Sequence, residues 1–169
     1  MTEMKRVLII GCCGCGKTTL SRQLSQRLQL PLIHLDQLNW RDNWQPVPRE
    51  TFDALLAAEV KKPAWIIDGN YNRTLPLRLQ YCDTVIYMDY PRILCLWGVL
   101  KRVVTSYGKS RSDMGGNCPE RFDCEFLSFV WNFNKANRQR YHQLLKQETG
   151  KRVIILRSRR ETRRFLSGL

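Results

Sequence analysis

Gly11-Cys12-Cys13-Gly14-Cys15-Gly16-Lys17-Thr18 spells G-x-x-x-x-G-K-T, and its flanks complete a strand–loop–helix unit. Lys5-Arg6 leads into Val7-Leu8-Ile9-Ile10, an apolar run of strand length. After the loop, Leu20, Leu24 and Leu28 fall at i, i+4 and i+8, the stripe of an amphipathic helix. Glycines let backbone N–H groups turn inward and approach anionic oxygens without a Cβ in the way. The helix that starts near Gly16 adds its positive dipole end, roughly half a charge. Lys17 is placed to reach terminal phosphates as a point charge, and the Thr18 hydroxyl to ligate Mg²⁺. The stretch Gly11, Cys12, Cys13, Gly14, Cys15, Gly16, Lys17, Thr18 and Thr19 is therefore expected to bind the phosphates of a nucleoside triphosphate.

Working outward, the 169 residues suggest one domain, 1–169, with a core that needs no staples. No apolar run approaches membrane-spanning length and the N-terminus lacks a signal-peptide pattern, so no membrane partner and a cytoplasmic location are expected. Seven cysteines then read as reduced thiols. Three lie inside the phosphate loop, and the other four show no C-x-x-C pair or histidine spacing for zinc. Small buried or half-buried thiols are the preferred reading, with reactivity the alternative for Cys15, because a helix N-terminus lowers a thiol's pKa. The net charge of +13 implies anionic partners, which a nucleic-acid backbone and a pocket gripping several phosphates both satisfy.

Apolar strands alternate with helical stretches through most of the chain, the pattern of a parallel sheet covered on both faces. Leu32-Ile33-His34-Leu35 reads as a short second strand ending at Asp36, and a loop with Trp40 and Trp44 follows. Trp65-Ile66-Ile67 is a third strand, and its terminal Asp68 has the Walker-B form in which a carboxylate supports Mg²⁺. Thr84 to Asp89 is the fourth strand. The helix after it is expected to turn Leu94, Trp97, Leu100 and Val104 inward. Arg92 to Ser112 holds five bases and no acid, and Ser106 to Pro119 is composed like a mobile loop. A long helix from Glu120 to about Gln147 is expected to gather Phe122, Phe126, Phe129, Phe133, Tyr141 and Leu145 near one side. Val153 to Leu156 is the fifth strand, and Ser158-Arg159-Arg160-Glu161 opens a last helix with a capping box.

With the loop, the Asp68-Gly69 strand end and the basic helix in view, the chain resembles the adenylate-kinase-like small-molecule kinases. Within them it looks most like the DNA topology modulation (FlaR-like) proteins. The resemblance covers nearly the whole chain. It implies the three-layer P-loop NTPase fold: α/β, a five-stranded parallel sheet of order 2-3-1-4-5, and a short basic lid-like region. It implies ATP and Mg²⁺ as cofactors, with Thr18 and Asp68 at the metal. Asp68, Gly69 and Arg73 echo a strand end whose arginine touches the acceptor, with one extra residue before Arg73. Arginines beside a lid clamp the transferring group in that family, a part Arg102, Arg138 and Arg140 are available for. The loop after the last strand lies against the donor base there, which brings in Arg159. The region after Asp36 departs from an adenylate acceptor domain, and the glycine-bearing loop is short for a full lid.

Asp36 is read either as the carboxylate that orients a small acceptor or as a cap. Trp40 and Trp44 are read either as a stacking surface for a flat ligand or as loop packing. His34, alternating with apolar neighbours, reads as a core or rim histidine. The expected function is phosphoryl transfer from ATP to a small-molecule or nucleotide acceptor, with Lys17, Asp36, Asp68, Arg102 and Arg138 as catalytic candidates. The rival is a nucleotide-gated nucleic-acid-binding ATPase acting through the basic surface. No helix-turn-helix or zinc module supports that rival. The acceptor, the choice of ATP over GTP and the oligomeric state stay open.

Overall fold

A computed structural model describes residues 4–169. In chain order the elements are β1 (Arg6–Gly11), α1 (Lys17–Leu28), β2 (Leu32–His34), α2 (Leu35–Asn39), β3 (Trp40–Arg41), β4 (Gln45–Pro46) and α3 (Arg49–Val60). They continue with β5 (Trp65–Asp68), α4 (Leu75–Tyr81), β6 (Thr84–Met88), α5 (Arg92–Ser106), α6 (Cys124–Gln147), β7 (Arg152–Leu156) and α7 (Arg159–Ser167). Strands β3 and β4 form a separate antiparallel hairpin. The other five make one parallel sheet in the order β2-β5-β1-β6-β7, the expected 2-3-1-4-5.

Burial explains the order. Val7, Leu8, Ile9 and Ile10 of β1 are fully buried, as are Trp65, Ile66 and Ile67 of β5 and Val85, Ile86 and Tyr87 of β6. Strands apolar on both faces can only be interior strands with helices on either side. The register sets Ile9 opposite Asp68 and Gly11 opposite Met88, so the phosphate loop and Asp68 emerge at the same end of adjacent strands. This is the carboxyl end, where ligands of such sheets bind.

Several expected elements shift. Strand β2 stops at His34, and Asp36 lies inside α2 rather than at a strand end. Helix α4 was not read from the sequence at all. Helix α6 starts at Cys124, not Glu120, because the Asp123 carboxylate caps it by accepting from the Phe126 N–H at 3.0 Å. Phe122 thus falls outside the helix and, like Phe129, is exposed, while Val130, Phe133, Asn137, Tyr141 and Leu145 form the buried face.

Helix α5 is rotated relative to the expectation. Trp97 is 60% and Val104 81% exposed, and the residues turned inward are Cys95, Val99 and Val103. The cause is a close backbone contact. A Cβ on Gly98 would lie 2.1 Å from the Gly14 carbonyl oxygen, and a Cβ on Gly14 would lie 2.1 Å from the Cys95 carbonyl oxygen. Only with hydrogen at both positions does α5 rest on the phosphate loop, and that seating fixes which stripe is buried.

Gly98→Ala separates two opposed effects. Helix propensity alone favours alanine by about 1 kcal/mol. Overpacking against a backbone carbonyl that cannot rotate away costs about 1–3 kcal/mol and displaces the loop. The expected outcome is a lower melting temperature together with weaker nucleotide binding. A variant that melts higher than the parent would show that the contact does not constrain α5.

Candidate active site

The site begins where β1 turns into α1. Gly16 caps α1 in the left-handed region (φ 98°) and offers no side-chain acceptor. The first-turn N–H groups of Lys17, Thr18 and Thr19 therefore point out of the helix end without intrahelical partners. Loop shape is set from outside. The Gly11 N–H donates to Asn70 Oδ1 at 3.0 Å, and Cys12 Sγ lies 3.7 Å from the Val130 carbonyl of α6. Lys17 Nζ donates to the carbonyls of Gly11 (2.8 Å) and Cys12 (2.9 Å), which holds the ammonium across the loop. An ammonium has three donors, so one remains for an anion.

Asp68 is buried and has two partners: Ser21 Oγ donates to it at 2.8 Å, and His34 Nδ1 lies 3.0 Å away. Ser21 Oγ also lies 3.0 Å from the Thr18 carbonyl, tying Asp68 to the first turn of α1. His34 is thus a buried histidine with a defined partner. The Thr18 hydroxyl itself donates to a different acid, Asp113 Oδ2, at 3.0 Å. Asp113 is buried, and Arg111 Nη1 reaches the same oxygen at 2.9 Å.

Asp36 is half-buried and accepts from the Tyr71 hydroxyl at 2.7 Å; burial and this carboxylate both push the Tyr71 phenol above its usual range. Tyr71 in turn stacks on Phe52 of α3, with centroids 5.0 Å apart. Trp40 and Trp44 meet edge to face at 5.7 Å, and Trp44 Nε1 donates to the Pro119 carbonyl at 3.1 Å. The tryptophans thus join the hairpin to the loop before α6.

The arginines go elsewhere than the sequence suggested. Arg102 Nε lies 3.0 Å from Glu120 Oε1, which also takes Arg111 Nε at 2.7 Å; the Glu120 side chain is only 3% exposed. Arg138 donates to Asp89 at 3.0 Å, beside His142 Nε2 at 2.9 Å. Both candidate clamps therefore balance buried carboxylates. Arg159 is exposed in the first turn of α7, where Ser158 Oγ accepts from the Glu161 N–H at 3.2 Å, and Glu161 Oε2 from the Arg157 N–H at 2.8 Å. Arg73 turns to the surface and pairs with Asp53.

The sequence reading missed Ser21, Asn70, Tyr71, Arg78 and Asp113. Arg78 of α4 is fully buried and donates to the carbonyls of Gly69 (2.8 Å), Asn70 and Tyr71 (2.9 Å), shaping the turn after Asp68; burial lowers its guanidinium to about 10, still charged at neutral pH. One signal was available for Asp113: it is the first acid after the acid-free stretch Arg92 to Ser112.

A divalent cation fits the donor set. Thr18, Asp113 and Asp68 offer oxygen only, as Mg²⁺ prefers. Among the described residues no cluster of three or more His, Cys, Asp or Glu could hold a metal unaided. Mg²⁺ would thus need phosphate oxygens to complete its shell, its usual mode in phosphate sites.

Cys15 follows the preferred buried-thiol reading and not the reactive alternative. It is buried against Met88 Sδ at 3.9 Å, and burial pushes its thiol up to about 12. At pH 8 about one thiol in 10⁴ would then be ionised. Iodoacetamide labelling followed by peptide mass spectrometry is expected to modify the exposed Cys124 first and Cys15 last. Early labelling of Cys15 in the folded protein would contradict this environment.

Three comparisons bear on the chain. The family model described as "PduV-EutP: Ethanolamine utilisation - propanediol utilisation" matches residues 4–52, which is less than half of the chain. No curated protein matches. Among solved structures, shikimate kinase from Acinetobacter baumannii in complex with shikimate is 16% identical with a TM-score of 0.61, covering 98% of this chain and 90% of that one. Shikimate kinase from Bacteroides thetaiotaomicron is 15% identical with a TM-score of 0.57, covering 98% of this chain and 95% of that one. Neither these structures nor the family model supports the DNA topology modulation branch. No helix among the described residues is long and apolar enough to cross a membrane. Sheet order, loop and neighbours agree on one fold, that of the P-loop kinases.

Proposed function

We propose that this protein transfers the γ-phosphoryl group of ATP, with Mg²⁺, to a small acceptor. The observation that carries the reading is the convergence on one loop of Lys17, the uncapped N-terminus of α1, the Thr18 hydroxyl and two buried acids from separate segments. Phosphoryl transfer asks the protein mainly for positioning and charge neutralisation. First-turn amides and Lys17 hold the β- and γ-phosphates. Thr18 and Asp68 stand at the cation, which, when bound, neutralises charge on those phosphates. Asp68 is kept in place by Ser21 and His34.

The acceptor belongs on the side of Asp36, Tyr71 and the tryptophan hairpin. There Tyr71 orients the Asp36 carboxylate toward a fixed direction, suited to a hydroxyl on a small molecule. Solved shikimate kinases share the fold, so shikimate is the first acceptor to try, ahead of nucleosides, nucleotides and sugars. The rival reading, a nucleic-acid-binding ATPase, rests on net charge alone. Arg157, Arg159, Arg160, Arg163 and Arg164 are exposed at the β7 edge of the sheet, two strands from β1.

Transfer from ATP would be scored across that panel beside ATP hydrolysis. Lys17→Met is expected to abolish both while the protein stays folded, with a modestly lower melting temperature from the two lost bonds to the Gly11 and Cys12 carbonyls. Asp68→Asn is expected to depress transfer and hydrolysis together. Asp36→Asn is expected to suppress transfer by about 10²-fold, the scale of one positioned acid–base group, while background hydrolysis continues. Proportional loss of both activities in Asp36→Asn would refute the acceptor role of Asp36. Wild-type turnover in Lys17→Met would refute the reading as a whole.

A further inference from the structure

The segment between α5 and α6 holds Asp113, the acid that accepts from Thr18. It is tightly laced. Ser110 Oγ donates to the Gly116 carbonyl and accepts from the Cys118 N–H, each at 2.9 Å. The Gly108 N–H donates to the Glu120 carbonyl at 2.9 Å, and the Glu120 N–H to the Lys109 carbonyl at 3.0 Å. The segment is also docked. The Asn43 N–H donates to the Asn117 carbonyl at 2.9 Å, and the Asn117 N–H to Asp42 Oδ1 at 2.6 Å. Arg22 donates to Ser112 Oγ at 2.7 Å, and Gln37 to the Ser112 carbonyl at 2.8 Å. A Cβ on Gly115 would lie 2.3 Å from the carbonyl oxygens of both Gln37 and Trp40, so no larger residue fits that seat. These contacts place Asp113, ninety-five residues from Thr18 in sequence, against the phosphate loop.

A threonine that ligates a cation through its oxygen keeps its hydroxyl hydrogen, and in a buried site that hydrogen needs an acceptor. Asp113 Oδ2 is that acceptor. Its charge is balanced on the protein side by Arg111, which Glu120 shares, so Asp113 does not have a guanidinium to itself. A buried carboxylate in that position gains from a cation at the Thr18 oxygen.

We propose that Asp113 is a metal-site positioning residue. It takes the Thr18 hydroxyl hydrogen, turns the threonine lone pairs toward Mg²⁺ and couples cation binding to the docked state of the 107–123 segment. The inference rests on the proposed reading of the loop as a Mg·ATP site.

The test is ATP binding by calorimetry in EDTA and across a Mg²⁺ series, for the wild type, Asp113→Asn and Asp113→Glu. In the wild type Mg²⁺ is expected to tighten ATP binding. Asp113→Asn is expected to raise the Mg²⁺ concentration required by about 10- to 100-fold, the usual effect of removing an outer partner of a metal ligand. Its ATP affinity in EDTA should be equal or tighter, because a negative charge beside the phosphates is gone. Asp113→Glu should recover part of the Mg²⁺ response. An unchanged Mg²⁺ requirement in Asp113→Asn overturns the proposal. So does tighter Mg·ATP binding by that variant, which would make Asp113 a plug displaced by nucleotide. A second readout uses the wild type alone, so a misfolded variant cannot decide the matter. Mg·ATP, compared with ATP in EDTA, should slow hydrogen exchange at the Gly108, Asn117, Cys118 and Glu120 amides. Equal exchange overturns the coupling. Failure of the wild type to bind ATP under either condition would instead bring down the reading of the site itself.

Discussion

A phosphate cradle cannot satisfy its own hydrogen bonds. The donors that would grip an anion must be left without protein partners, so the loop cannot be held by the ladder that shapes a helix or strand. Here the shape is imposed from outside by segments distant in sequence. Asn70 takes the Gly11 N–H, α6 brings the Val130 carbonyl to Cys12, and α5 presses the Gly98 backbone onto Gly14. Lys17 ties two loop carbonyls together from within. The requirement propagates. Because α5 must present Gly98 to the loop, it buries Cys95, Val99 and Val103 and leaves Trp97 and Val104 at the surface. Because the turn after Asp68 must present Asn70, its carbonyls need a donor, and the buried Arg78 supplies it.

This division decides what was legible in the sequence. The phosphate loop, β1, α1 and the strand end at Asp68 follow from signals within a few residues of each other, and those readings match the fold. The sheet order, which no local signal carries, came from the family resemblance and also matches. Helix α5 shows where such reasoning stops. Its sequence carries two apolar stripes, Leu94-Trp97-Leu100-Val104 and Cys95-Val99-Val103, both with helical spacing. Periodicity cannot choose between them; the contact with Gly14 does. The segment Ser106 to Pro119 has the composition of a mobile loop, yet Gly115 and Gly116 are seats for the backbone of α2 and the hairpin, and its partners lie about seventy-five residues away. Arg73 was the arginine the resemblance suggested, one residue off its spacing, but it pairs with Asp53 at the surface, and Arg78, five residues further on, is the one built into the turn.

Some of the basic residues are internal, where three arginines balance three buried acids and leave the net excess of +13 elsewhere. Asp89, Asp113 and Glu120 are buried, and each is held by at least one arginine: Arg138 at Asp89, Arg111 at Asp113, and Arg102 with Arg111 at Glu120. Breaking such a pair by removing one partner costs about 3–5 kcal/mol, so these arginines are fixed by the acids they serve. They are poor candidates for groups that swing onto a phosphate. The bases facing solvent are spread along the chain, with their densest run from Arg157 to Arg164. Net charge therefore argues about the surface and says little about the chemistry at the loop.

Enclosure bears on whether such a site transfers or hydrolyses. A transferring enzyme must keep water from the terminal phosphate while an acceptor is in place, which requires a cover that meets the acceptor's own walls. On the reading proposed above, the cover and the wall in this chain are joined. The segment before α6 is bonded to the hairpin through Asn117, Pro119 and Cys118, and to α1 through Ser112 and Asp113. Trp44 and Asp42 are thus tied by hydrogen bonds to the segment that touches Thr18. An ATPase acting on water has no use for a covering segment joined to a second wall. A kinase that must sense its acceptor before exposing the γ-phosphate does, and the joined segments provide a physical route from one side of the site to the other.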